Sequence, residues 1–219
     1  MAAKKIIDLS FDIYHNNPGY FPYQLTSFEL EKIKPRDGYT SERVAFNTHT
    51  STHIDAPRHH YPNGDAIDEM DISLFCGPAV VVDAFGAEPH AEIGMDKLEK
   101  YDSVIEKGDI VMLCTGFGEK RGWNADYCDN WPYLNNEGAD YLAAKGVKGI
   151  AIDTMSIGGP RDGEALYQHE MLLEKGIWLG EEFRLPKELL EHEKWMLYAF
   201  PLKLKGCSGA PVRAVAVEM

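Results

Sequence analysis

Asn136-Glu137-Gly138-Ala139-Asp140-Tyr141-Leu142-Ala143-Ala144-Lys145-Gly146-Val147-Lys148-Gly149-Ile150-Ala151-Ile152 carries the pattern that decides the fold. The stretch from Asn136 to Lys145 reads as a helix and Gly146 sits where a C-terminal cap belongs. Gly149-Ile150-Ala151-Ile152 is a short apolar run of strand type. The same alternation extends in both directions. Helices are expected after Ile93, over residues 164–175 with Gly176 as cap, and over residues 186–192; β-like runs fall at 79–82, 110–113, 177–179 and 212–217. Strands alternating with helices predict a mixed α/β fold with a sheet as its core. The first sixty residues are rich in Pro, Tyr and Asn and lack periodicity, so strands, turns and an arm are expected there.

With 219 residues and 44% hydrophobic content, the chain has material for one substantial core, and a single domain over residues 1–219 is expected. Lys and Arg number 22 against 35 acids, for a formal charge of −13, and no basic run is dense enough to follow a phosphate backbone. Nucleic acid is therefore not an expected partner. No apolar window is long enough to span a bilayer, and the start, with Asp8 directly after Ile6-Ile7, does not resemble a signal peptide. Cys76, Cys114, Cys128 and Cys207 are scattered, with no Cys-x-x-Cys pair, as expected for reduced thiols of a cytoplasmic protein.

The densest chemistry is His49-Thr50-Ser51-Thr52-His53-Ile54-Asp55-Ala56-Pro57-Arg58-His59-His60, which holds four of the eight histidines and a carboxylate. In a straight strand the Cα atoms of His49 and His53 would lie about 13 Å apart, at ~3.3 Å per residue, the limit for two imidazoles on one ion. The segment is therefore expected to bend through one helix-like turn between them, bringing the side chains to roughly 5–6 Å. Pro57 disfavours helix at Ala56, so His53 and Asp55 are expected to alternate onto one side of an extended piece. Two imidazoles and a carboxylate with an open position suit a catalytic metal site better than a closed structural one.

Two residues downstream are drawn to the same place. Leu166, His169, Leu172 and Leu173 recur at three- and four-residue steps, which puts His169 in a buried stripe. A strand after Gly176 carries Ile177, Leu179 and Glu181 on one face, so Glu181 turns inward, where a carboxylate needs a partner.

The chain resembles the cyclase-like metal-dependent hydrolase family, to which bacterial arylformamidases (kynurenine formamidases) and isatin hydrolases belong. The family's signature is His-x-Gly-Thr-His-x-Asp-x-Pro-x-His, and residues 49–59 match it except that Ser51 replaces the glycine. The likeness continues through Ile7-Asp8-Leu9-Ser10, Gly108-Asp109-Ile110-Val111, residues 146–153, His169 with Leu172 and Leu173, Gly176-Ile177 with Glu181, Pro201-Leu202-Lys203-Leu204 and Gly209-Ala210-Pro211-Val212-Arg213. It implies a swivelling, partly open β-barrel-like sheet with flanking helices, assembled as a homodimer or homotetramer. It implies His49, His53 and Asp55 as ligands of a first metal, His169 and Glu181 completing a second site bridged by Asp55, and His59 as the proton-transfer residue. Where the signature has glycine, either a positive φ or close approach of substrate is at stake, and Ser51 bears on both.

Such a site hydrolyses an amide, formamide, cyclic amide or lactone: a divalent ion acidifies a water and polarises the carbonyl, while an imidazole protonates the leaving nitrogen. The nitrogen and oxygen ligand set suits zinc or manganese, one to two ions per chain. Tyr20, Phe21, Tyr23, Trp123 and Trp131 are aromatic candidates for holding a flat small-molecule substrate, with Phe21 and Trp131 taken as the substrate-binding pair. Two other readings stay open at this stage, a metal-dependent lyase acting on a carbonyl substrate and a non-catalytic metal-binding protein.

Overall fold

A computed structural model describes residues 4–21, 23–161 and 163–219. Among these residues the strands are β1 (Ile6–Asp8), β2 (Ser27–Lys32), β3 (Ser41–Ala45), β4 (His53–Asp55), β5 (Cys76–Asp83), β6 (Glu92–Ile93), β7 (Ile110–Cys114), β8 (Tyr133–Leu134), β9 (Gly149–Ile152), β10 (Trp178–Glu181), β11 (Lys194–Tyr198), β12 (Gly209–Pro211) and β13 (Val215–Val217). The α-helices are α1 (Lys34–Asp37), α2 (Met95–Leu98), α3 (Ala125–Asp129), α4 (Asn136–Lys145) and α5 (Leu166–Glu174).

Nine strands make one sheet in the order β1-β13-β11-β5-β7-β9-β10-β4-β12, curled into a half-barrel. The centre, β5-β7-β9-β10, is parallel, and antiparallel strands extend it on both sides. β7 and β9 are buried at every position, as parallel strands covered on both faces require. Alternate residues feed two cores. Val80, Val82, Val111, Leu113, Ile150 and Ile152 meet Leu98, Leu142, Leu172 and Leu173 from the helical layer, while Val81, Met112, Trp178, Trp195 and Leu197 pack together on the opposite face.

The decisive helix and strand form where the sequence places them. The Asn135 side chain caps α4 by accepting from Gly138 N, and Gly146 closes it at φ 75°. Other expectations need correction. The helix after Ile93 is a single α-turn followed by a 3-10 turn at Glu99–Tyr101, and residues 186–192 hold only the 3-10 helix Lys187–Glu191. Each is one or two turns between closely spaced strands, too short for cooperative α-helix. On α5 the buried residues are Gln168, His169, Leu172 and Leu173, whereas Leu166 is 50% exposed at the first turn.

Candidate metal centre

β4 lies between β10 and β12, and this register builds the site. His53 pairs with Glu181 and Asp55 with Leu179 across one edge, while Pro211 and Gly209 flank the same two residues across the other. His53 and Asp55, two apart on a strand, share a face, and Glu181 stands opposite His53 on it. α5 lays His169 over that face. The chain approaches β4 through a bend centred on Ser51, not through the helix-like turn expected: Ser51 has φ 53°, a left-handed conformation. The result for the rings is nonetheless the short separation anticipated, with the His49 and His53 centroids 5.3 Å apart. Gly209 has no side chain for a physical reason, since a Cβ there would fall 2.8 Å from the His49 ring.

Asp55 is at the centre. His49 Nδ1 lies 2.6 Å from Asp55 Oδ1, and His53 Nε2 lies 3.3 Å from the same oxygen and 3.5 Å from Glu181 Oε2. His169 Nε2 is 3.2 Å from Glu181 Oε1 and 3.7 Å from Asp55 Oδ2; His59 Nε2 is 3.9 Å from that second oxygen. The tightest groupings of ligand atoms are His49 with Asp55 and His59, and His53 with Asp55 and Glu181. Asp55 is common to both. The partition around it differs from the one the resemblance implies, because the β4–β10 pairing puts His53 with Glu181, and the turn after Pro57 brings His59 back beside His49.

The hydrogen-bond pattern fits a cation. His53 Nδ1 donates to Ser51 O at 2.7 Å and His169 Nδ1 donates to Ala165 O at 2.7 Å, which fixes both rings with Nε2 toward the carboxylates. A bare Nε2 lone pair facing a carboxylate is attractive only with a proton or a metal ion between them. Among the described residues, His53 Nε2 and Asp55 Oδ2 are buried atoms with no hydrogen-bond partner. The separations of 3.3 and 3.5 Å around His53 Nε2 are close to the ligand-to-ligand edge of a tetrahedral ion with bonds of about 2.0–2.1 Å.

Charge follows the same design. Burial opposes ionisation of Asp55, but the His49 and His59 imidazoles hold its carboxyl well below the usual range. Burial and Asp55 both act to raise the pKa of Glu181, yet its contacts with His169 and His53 bring it down to about 2. Burial likewise opposes charge on His169, and Glu181, Asp55 and the Ala165 carbonyl together outweigh it, raising the ring to about 9. His59 differs: burial dominates and lowers it to about 4, so the ring is neutral at pH 7.

His49, His53, His59, His169 and Glu181 line a cavity of about 470 Å³. Trp131 is on its wall, with Nε1 donating to Gly158 O at 2.8 Å. Phe21 is not: it is 88% exposed, because the turn in which Tyr23 N donates to Tyr20 O presents Tyr20 and Tyr23 to the cavity instead. Trp123 is 57% exposed and also outside the wall. His60 also lines the cavity, stacked on His169, since Pro57–His59 is a 3-10 helix that turns the next residue inward. Sequence reasoning missed the outer partners. Ser208 Oγ lies 2.8 Å from His49 Nε2, and Ser156 Oγ and Ile157 N donate to Glu181 Oε1 at 2.9 and 2.8 Å. Ser208 adjoins the Gly209-Ala210-Pro211 motif, the one local signal that could have drawn attention to it.

Fold and site together define an α/β protein with a histidine and carboxylate metal centre set on β4 and β10 near one edge of a curled sheet. A family model described as putative cyclase matches residues 7–158. The chain is 31% identical over 221 residues to a kynurenine formamidase of Bacillus cytotoxicus, covering 98% of both chains. In fold it is similar to isatin hydrolase A from Labrenzia aggregata, with a TM-score of 0.87 at 22% identity over 98% of this chain and 94% of that one. It is also similar to a protein described as a predicted metal-dependent hydrolase from Bacillus stearothermophilus, with a TM-score of 0.80 at 27% identity over the whole of both chains. The chain belongs to the cyclase family.

Proposed function

We propose that this protein is a metal-dependent hydrolase of amide carbon–nitrogen bonds, arylformamidase-like, taking a formamide or a cyclic amide of an aromatic substrate. The observation that carries the reading is Asp55, a buried carboxylate with one unpartnered oxygen, ringed by His49, His53, His59, His169 and Glu181, five side chains that line an aromatic-walled cavity. The kynurenine formamidase relatives, similar over nearly their whole length, support it.

In this reading His49, His53, Asp55, His169 and Glu181 hold one to two divalent ions, zinc or manganese, matching the mixed nitrogen and oxygen donors. A divalent ion held there supplies an acidified water and polarises the substrate carbonyl. His59, neutral at pH 7, accepts a proton from the attacking water and delivers it to the departing nitrogen. Trp131, Tyr20 and Tyr23 give the cavity flat walls that suit an aryl group. Burial, with Asp55 and Glu181 nearby, raises the Tyr23 phenol to about 12, so it faces the substrate as a hydrogen-bond donor.

No helix among the described residues is long and apolar enough to cross a membrane. The four free cysteines support a place in the reducing cytoplasm. The deciding experiment is a turnover screen of N-formylkynurenine, isatin and small lactones after loading with zinc or manganese, run in oxygen-18 water. Hydrolysis puts the label into the acid product; product without label overturns the reading.

A further inference from the structure

We propose that Ser51 is a positioning residue of the metal centre, its hydroxyl clamping a left-handed turn whose carbonyl aims His53; the inference rests on the metal-centre reading above. Ser51 is fully buried at φ 53°, a region disfavoured for any residue that carries a Cβ. The hydroxyl answers that strain. Ser51 Oγ is 3.3 Å from both Phe11 O and Asp12 O, to which it donates, and it accepts from Arg121 Nη2 at 3.2 Å.

Arg121 is a fixed anchor. Its Nε donates to Glu182 Oε2 at 2.8 Å and its guanidinium lies 4.9 Å from the centre of the Phe11 ring. The next residue of the turn is tied to the same place, with Thr52 Oγ1 donating to Glu182 O at 2.6 Å and accepting from Phe11 N at 2.9 Å. The turn's output is the carbonyl of Ser51, which accepts from His53 Nδ1 and so turns Nε2 toward Asp55 and Glu181. Relaxing residue 51 to negative φ would rotate that carbonyl away and free the ring to change tautomer. Glycine takes this turn without strain but has nothing to grip with. Serine gains a grip, and through Arg121 and Glu182 it braces the His53 loop against the strand end that carries Glu181.

The test is zinc affinity by chelator competition for the parent, Ser51→Gly and Ser51→Ala, with the melting temperature of each metal-free protein recorded alongside. Alanine keeps the strain and loses the hydroxyl, so zinc affinity should fall about 10- to 100-fold, as for other lost supports of a ligand. Glycine relieves the strain, and its affinity should lie between alanine and the parent. A glycine variant that binds zinc as tightly as the parent overturns the proposal, because the hydroxyl then adds nothing beyond backbone freedom. That arm decides the matter even if the alanine variant does not fold. Variants that melt lower yet bind zinc like the parent overturn it too, by making Ser51 structural only. A parent that takes up no zinc overturns the metal-centre reading and this inference with it.

Discussion

Arg121 and Glu182 form an ion pair inside the protein, Nε to Oε2 at 2.8 Å, with side-chain exposures of 7% and 1%. Tyr127 donates its hydroxyl to the same oxygen at 3.1 Å, and Glu182 stands at φ 50°. Glu181 and Glu182 are thus consecutive carboxylates with opposite duties, one facing the histidines and one locking the strand end. Removing one member of a buried pair strands the other charge, at about 3–5 kcal/mol. Arg121→Met should lower the unfolding free energy by that amount in a urea titration. A loss under about 1 kcal/mol would mean that the pair does not hold this corner of the fold.

Asp153 gives a pH dependence of defined sign. It is fully buried, accepts from Thr115 N, Thr115 Oγ1 and Gly116 N, and burial outweighs those bonds to raise its pKa to about 6. The folded state therefore binds this proton more tightly than the unfolded chain, whose value is 3.8. Its contribution to stability is fully present below that unfolded value and is lost as pH rises through about 6. Asp153→Asn cannot titrate, so the stability gap between parent and variant should be wider at pH 4.5 than at pH 7.5, by ~1–3 kcal/mol. A gap that is constant, or wider at pH 7.5, would show that the three donors keep the carboxylate charged.

Legibility in the sequence followed the range of the forces involved. α4 and β9 were readable because Asn135, Gly146 and the apolar run 149–152 act within a few residues. The candidate cluster is readable because His49, His53, Asp55 and His59 crowd one segment, while periodicity and strand parity point His169 and Glu181 inward. What failed depended on partners remote in the chain. The conformation at Ser51 is held by Arg121, 70 positions away, and the His49 ring by Ser208, 159 positions away. The choice between Phe21 and its neighbours Tyr20 and Tyr23 turns on the direction of one turn, which composition does not encode.

Assembly is the third expectation. Within the expected arm of the first sixty residues, Tyr14, Tyr20 and Phe21 are 46%, 47% and 88% exposed in one chain, as a segment covered by a second subunit would be. Beside them, among the described residues, β2 and β3 pair only with each other, and Phe28, Leu30 and Val44 share one exposed face. An isolated two-stranded hairpin is marginal in water, so a second copy of this chain is the expected cover. Light scattering at micromolar concentration should report a dimer or tetramer. Phe28→Glu combined with Leu30→Glu should shift it toward the monomer; a parent that is already monomeric removes the basis for this expectation.

The roles of His53 and His59 separate in the last experiment. His53 is buried, its Nδ1 is committed to Ser51 O, and its Nε2 has no partner but the two carboxylates, so no neighbour can replace it as a ligand. His53→Ala should lose metal and activity together. His59 ends the 3-10 helix that starts at Pro57, its side chain 20% exposed, with Nε2 3.9 Å from Asp55 Oδ2, farther than the 3.7 Å of His169. His59→Ala should keep its metal by elemental analysis while amide turnover falls roughly 10²- to 10⁴-fold, the usual effect of a positioned proton-transfer group. The deficit should shrink on an activated ester, whose leaving group departs without a proton. Loss of metal along with activity would make His59 a ligand, as its grouping with His49 and Asp55 also permits. Unchanged turnover on both substrates would move the proton-transfer role to another group, with His60, stacked on His169 in the same cavity, the next to replace.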